Sequence, residues 1–91
     1  MGNPNKGVYR KFEVRRTDGR DAPGEKHDGC SYFVLDLVHD KHAIPALKAY
    51  AKSCRREFPA LAKDLNWALS TQHVGAAVKL KIDHDVNNHH A

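Results

Sequence analysis

Ser31-Tyr32-Phe33-Val34-Leu35-Asp36-Leu37-Val38 is the stretch whose reading decides the fold. It is rich in aromatic and β-branched residues and is bounded by Gly29 and His39-Asp40, which reads as a strand. Phe33, Leu35 and Leu37 share one face; Tyr32, Val34, Asp36 and Val38 share the other. A strand apolar on both faces is normally central and covered on both sides. In a chain of 91 residues, the second cover is expected from the C-terminal segment or from another molecule.

Working outward, residues 17–29 precede this strand and contain three turn signals in succession: Asp18-Gly19, Pro23-Gly24 and Asp28-Gly29. A loop of that length is usually functional or mobile. Before it, residues 8–16 alternate, with Val8, Phe12 and Val14 on one face and Tyr9, Lys11, Glu13 and Arg15 on the other. Arg10 interrupts the apolar face, and the pattern predicts a half-buried strand. Residues 1–7 read as a loose end.

On the C-terminal side, Asp40 is a good N-cap and Pro45 falls in or near a first helical turn. At 100° per residue, Ala43, Ile44, Leu47, Tyr50, Ala51, Cys54 and Phe58 form one apolar stripe. Lys41, Lys48, Lys52, Arg55 and Arg56 form a basic one, and Ala46, Ala49 and Ser53 a small, featureless one. Pro59 starts a second helix over residues 59–70, carried by Leu61, Leu65, Ala68 and Leu69. Val78, Leu80 and Ile82 alternate with Lys79 and Lys81, which predicts a third strand over 76–82. Residues 83–91 read as a polar tail.

The expected architecture is therefore α+β: a small two- to three-stranded antiparallel sheet packed against two helices, in the order β-β-α-α-β. Residues 1–82 form a single domain, followed by the tail 83–91. A domain of this size is marginally stable, and a homodimer is an ordinary way to stabilise it.

The chain carries 15 Lys and Arg against 11 Asp and Glu. The charge lies in blocks. Residues 1–20 hold six basic and two acidic residues, residues 21–40 one and five, and residues 41–60 five and one. Such blocks steer a partner or pair with each other inside the fold. Two cysteines, Cys30 and Cys54, are too few for a disulfide scaffold and point to a reducing compartment. No apolar run approaches a membrane span or a signal-peptide centre, so the expected location is the cytoplasm, away from membranes.

The runs 15–24 (RRTDGRDAPG), 26–30 (KHDGC), 32–37 (YFVLDL) and 39–43 (HDKHA) resemble small uncharacterised proteins of bacteria and their phages. The resemblance spans roughly residues 9–69. It implies a bacterial or phage setting, in which small proteins often bind and inhibit a host component, and it carries over no functional residue.

Several constellations bear on chemistry. His27, Cys30, His39 and His42 are all ligand types that zinc accepts. Cys30 and His39, however, bracket the predicted strand, which would hold them about 30 Å apart. A smaller metal site of His39, Asp40 and His42, joined by His84 or Asp85, remains, against the plainer reading of a helix cap beside solvated histidines. A nucleophilic Cys30 would need His27 or His39 beside it, yet no third member or oxyanion hole is legible, so no catalytic residue is assigned. The glycine-rich loop lacks a Walker ending, and its acidic residues oppose phosphate. Arg10, Lys11, Arg15 and Arg16, interleaved with Tyr9 and Phe12, make a basic strand; Lys48, Lys52, Arg55 and Arg56 make a basic helix face. These eight residues are the candidates for binding nucleic acid or a protein partner. The expectation is a small non-enzymatic interaction protein that binds a macromolecular partner and needs no cofactor. The alternatives are a nucleic-acid-binding protein and a small metal- or ligand-binding protein using the histidines, with zinc as its ion.

Overall fold

A computed structural model describes residues 7–88 of the chain. The loose end predicted for residues 1–7 lies, apart from Gly7, outside them, as do the last three residues of the predicted tail. The chain divides into two compact units, Met1–Val34 and Leu35–Ala91.

All the helices of the described residues lie in the second unit: α1 (Ala43–Cys54), α2 (Pro59–Leu69) and α3 (Val74–Asn88). There is no strand among the described residues. The expected α+β sheet of β-β-α-α-β order is thus replaced by an all-α architecture.

The start of α1 follows from its sequence. The carboxylate of Asp40 accepts the His42 N–H at 2.9 Å and its carbonyl accepts the Ala43 N–H at 3.0 Å. His42 itself takes the N-cap position. Pro45 is the third helical residue, where a missing N–H leaves nothing unpaired. Phe58 donates to the Cys54 carbonyl at 2.7 Å, and Pro59 opens α2. At the end of α2, Ser70 Oγ donates to the Trp67 carbonyl and Thr71 Oγ1 to that of Ala68, which satisfies two terminal acceptors. Thr71 Oγ1 then accepts the His73 N–H just ahead of α3.

The interior is built mostly of small residues. Ala43, Ala51, Cys54, Ala62, Ala68, Val74 and Ala77 are buried, while Leu47, Leu69 and Val78 pack half-buried around Ala68, Val74 and Ala77. Alanine at these contacts lets helix backbones approach closely. The apolar stripe expected on α1 is only half used: Ile44 and Tyr50 stay exposed, and so does Phe58 just beyond it.

The third predicted strand is a helix. Alternation over so short a run does not distinguish the two periods. Val74 and Ala77 are buried and Val78 half-buried at helical spacing, whereas Leu80 and Ile82 face solvent. Lys79 pairs with Asp83 one turn on at 2.9 Å, and Lys81 reaches Asp64 of α2 at 3.5 Å. The residues predicted as a tail from 83 onward thus continue α3 as far as Asn88.

The decisive stretch also differs. Residues 31–36 have no regular structure, and 37–39 form a turn. The Asp36 carboxylate accepts the N–H groups of Val38 and His39 at 2.9 and 3.0 Å, and its carbonyl accepts that of Asp40 at 3.0 Å. A side chain that captures the next two donors offers the backbone an alternative to a ladder. Phe33 is 78% exposed, which rules out a doubly covered strand. Residues 8–16, the other predicted strand, likewise form no strand, and Val8 is 91% exposed.

The turn carries a pH dependence. The amides of His39 and Val38, then the His39 ring, hold the Asp36 carboxyl below the usual carboxylate range. A depressed native pKa contributes stability above the unfolded value of about 4 and loses it as pH falls through the native one. The protection of the Val38 and His39 amides, measured against the intrinsic exchange rate at each pH, should therefore fall on acidification. In Asp36→Asn the same amides should show no such transition.

Candidate functional site

The site with the most unsatisfied chemistry is in the first unit. Its loop, residues 17–29, is closed on itself. Ala22 donates to the Gly19 carbonyl, Glu25 to Ala22, His27 to Arg20, Asp28 to Glu25 and Cys30 to His27, all between 2.9 and 3.2 Å. The tight reversals need positive φ at Gly19 (+75°) and Gly24 (+83°), where side chains are strained. Asp21 accepts the Arg16 N–H and Asp28 that of Gly24, each at 3.1 Å. The acidic block of the loop is thus largely spent on its own backbone.

Arg16 belongs to this scaffold. Its Nε donates to Asp18 Oδ1 at 2.9 Å. The Arg16 guanidinium, with the Arg20 amide, holds the Asp18 carboxyl well below the usual range, while Asp18 and then the Tyr32 hydroxyl raise Arg16 above its own. Arg16, a candidate partner contact from the sequence, is paired with Asp18 at the base of the loop.

Two arms without regular structure run from that base, residues 8–15 and 30–34. They flank an open cleft of about 650 Å³ lined by Tyr9, Arg10, Lys11, Phe12, Glu13, Val14 and Arg15 from one arm and Cys30 to Val34 from the other. Among the described residues, 10–15 and 31–35 make no main-chain hydrogen bond. Their apolar side chains, Phe12, Val14, Tyr32, Phe33 and Val34, are exposed. Lys11 lies over the Tyr9 ring at 5.6 Å. The basic residues Arg10, Lys11 and Arg15 outnumber Glu13 along the cleft, and none of the four is in an ion pair within the described residues.

The basic helix face is where the sequence places it. Lys48, Lys52, Arg55 and Arg56 are exposed on and just beyond α1. Lys52, Arg55 and Arg56 meet around a shallow hollow of about 420 Å³ floored by Ala49 and Ser53. The small face predicted for α1 is therefore the floor of a cationic depression.

The histidine candidates are not gathered. His39 Nδ1 lies 3.1 Å from Asp36 Oδ2, Asp40 is engaged in starting α1, and exposed His42 sits at its N-cap. The separation argued from a strand between Cys30 and His39 loses its basis, since that strand is not formed. Among the described residues, no three His, Cys, Asp or Glu side chains come together as a metal site. His84 is on α3, and the side chain of Asp85 lies outside the described ones. Cys30 Sγ is 3.8 Å from His27 Nδ1, an exposed pair three residues apart. Cys54 is buried, donating weakly to the Ala51 carbonyl.

Sequence reasoning picked out the basic residues of both surfaces and missed the cleft. Its signal was present: alternating apolar positions in two segments, with too few strands between them to make a sheet. Among the described residues, no helix is long and apolar enough to cross a membrane. No protein-family model, curated protein or solved structure matches the chain.

Proposed function

We propose that this chain is a non-enzymatic binding module whose first unit takes an extended macromolecular partner along its two arms, in a bacterial or phage setting. One observation carries the reading. Residues 10–15 and 31–35 hold apolar side chains and unpaired main-chain donors and acceptors in the open, flanking a cleft. Extended backbone with free N–H and C=O groups is a template for strand addition. In dilute solution the amides of both arms should exchange as fast as unstructured chain, while those of α1 and α2 are protected. A partner recovered from host lysate and then purified should protect the arms, and Phe12→Asp with Phe33→Asp should abolish its binding. Protection confined to the helices would overturn this reading.

A second reading rests on the hollow of Lys52, Arg55 and Arg56, which suits a phosphate backbone. If nucleic acid binds there, Arg55→Ala with Arg56→Ala should weaken binding and lower its salt dependence by about two charges. Unchanged affinity in a salt-titrated mobility shift would eliminate it.

A further inference from the structure

We propose that the macromolecule which fills the cleft is a second copy of this chain, its residues 8–16 pairing antiparallel with the same residues of the first. The inference rests on the preceding reading of the arms and names their occupant.

Pairing two copies of one segment about a two-fold axis must place some residue opposite itself or set the faces against each other. With Phe12 opposite Phe12 of the second copy, Lys11 falls opposite Glu13, Tyr9 opposite Arg15 and Arg10 opposite Val14, each occurring twice. Directly opposed residues lie on one face of an antiparallel pair, about 5 Å apart. This register therefore makes an aromatic pair on the axis, an ion pair on each side of it, and an arginine over a tyrosine ring at each end. It also keeps Val8, Phe12 and Val14 of both copies on the same face.

The neighbouring registers fail on charge. Centring the axis on Lys11 opposes Lys11 to itself. Centring it on Glu13 opposes Glu13 to itself, Lys11 to Arg15 and Arg10 to Arg16. Like charges directly opposite are destabilising. Slips by a single residue turn the apolar face of one arm onto the polar face of the other. The arm is thus self-complementary in one register, and its participating charges, Lys11 and Glu13, are in no ion pair of the described residues.

The cleft supplies the room. An arm of one copy lying between the two arms of the other gives, by symmetry, four neighbouring strands, the two central ones being residues 8–16. Two strands alone are marginal in water, whereas a sheet of more than two with an apolar face is stable. A single chain holds its arms apart; two chains complete each other. An acidic peptide would also meet the basic lining, but it would not need Glu13 or the match at Phe12.

Sedimentation and light scattering of the full chain test this directly. A dimer is expected at high micromolar concentration, with arm amides that become protected as concentration rises. Lys11→Glu and Glu13→Lys should each weaken the dimer at least about tenfold, because two attractions become two repulsions. The double variant should recover most of that loss. With Cys30 and Cys54 replaced by Ser, oxidised Phe12→Cys should form a covalent dimer and Lys11→Cys should not, since only position 12 faces itself. The helical circular-dichroism signal shows in each case that the second unit is folded. A monomer at high micromolar concentration, no recovery in the double variant, or equal cross-linking at 11 and 12 overturns the proposal. A monomer whose arms are nevertheless protected by another purified partner would leave the binding module standing and remove only the second copy.

Discussion

Gly75→Val is expected to destabilise the helical unit by about 3 kcal/mol. Gly75 is the second residue of α3 and backs onto the turn at 37–39. A Cβ there would lie 2.7 Å from Val38 Cγ2 and 3.2 Å from the carbonyl carbon and oxygen of Leu37. The Val38 side chain is exposed and can rotate aside, but the Leu37 backbone lies within the turn that Asp36 ties to the amides of Val38, His39 and Asp40. Valine adds two γ carbons to that overlap and recovers only a few tenths of a kcal/mol in helix propensity. Alanine is the informative comparison. It gains about 1 kcal/mol of propensity and adds one carbon, so it should sit close to wild type. Urea unfolding followed by far-ultraviolet circular dichroism reads both. Equal midpoints for valine and wild type would mean that α3 does not rest on this turn.

Ala68→Leu is expected to cost about 3 kcal/mol as well, for a different reason. Ala68 is 1% exposed and is surrounded by Leu47, Leu69, Val74, Ala77 and Val78. Three further carbons can enter only by pushing α2 away from the residues packed on Ala68, which loses its contacts with Val74, Ala77 and Val78 of α3. Ala49→Leu makes the same chemical change on the exposed face of α1 and should shift stability by no more than about 0.5 kcal/mol. If the two variants unfold at the same urea concentration, the cluster is not closely packed.

The helices from 43 to 69 were legible because their signals are local: an aspartate ahead of an apolar stripe, a proline at the break, and small residues at regular spacing. The expected sheet does not form because the signals for a sheet are only half local. Residues 8–16 and 31–38 have the composition and alternation of strands, but a strand exists only where a neighbour supplies a ladder, and no composition states who the neighbour is. Asp36 did announce its turn, since aspartate followed by free donors competes with extended structure. The alternation over residues 76–82 is too short to set the period: Val74 and Ala77 decide it, and Lys79 and Lys81 pair with Asp83 and Asp64. Of the candidate site, the cations were legible and their grouping was not. Arg16 is paired with Asp18, whereas Arg10, Lys11 and Arg15 line open space.

The alanine-lined contacts between the helices have a thermal consequence. Melting the second unit brings little hydrocarbon into water, because the residues it conceals are mostly single methyl groups. Its heat-capacity increment on unfolding is therefore expected to fall below the usual value of about 12–15 cal/mol/K per residue, as scanning calorimetry would read. A small increment flattens the stability curve, so this unit gains little on cooling and its unfolding enthalpy changes little with temperature.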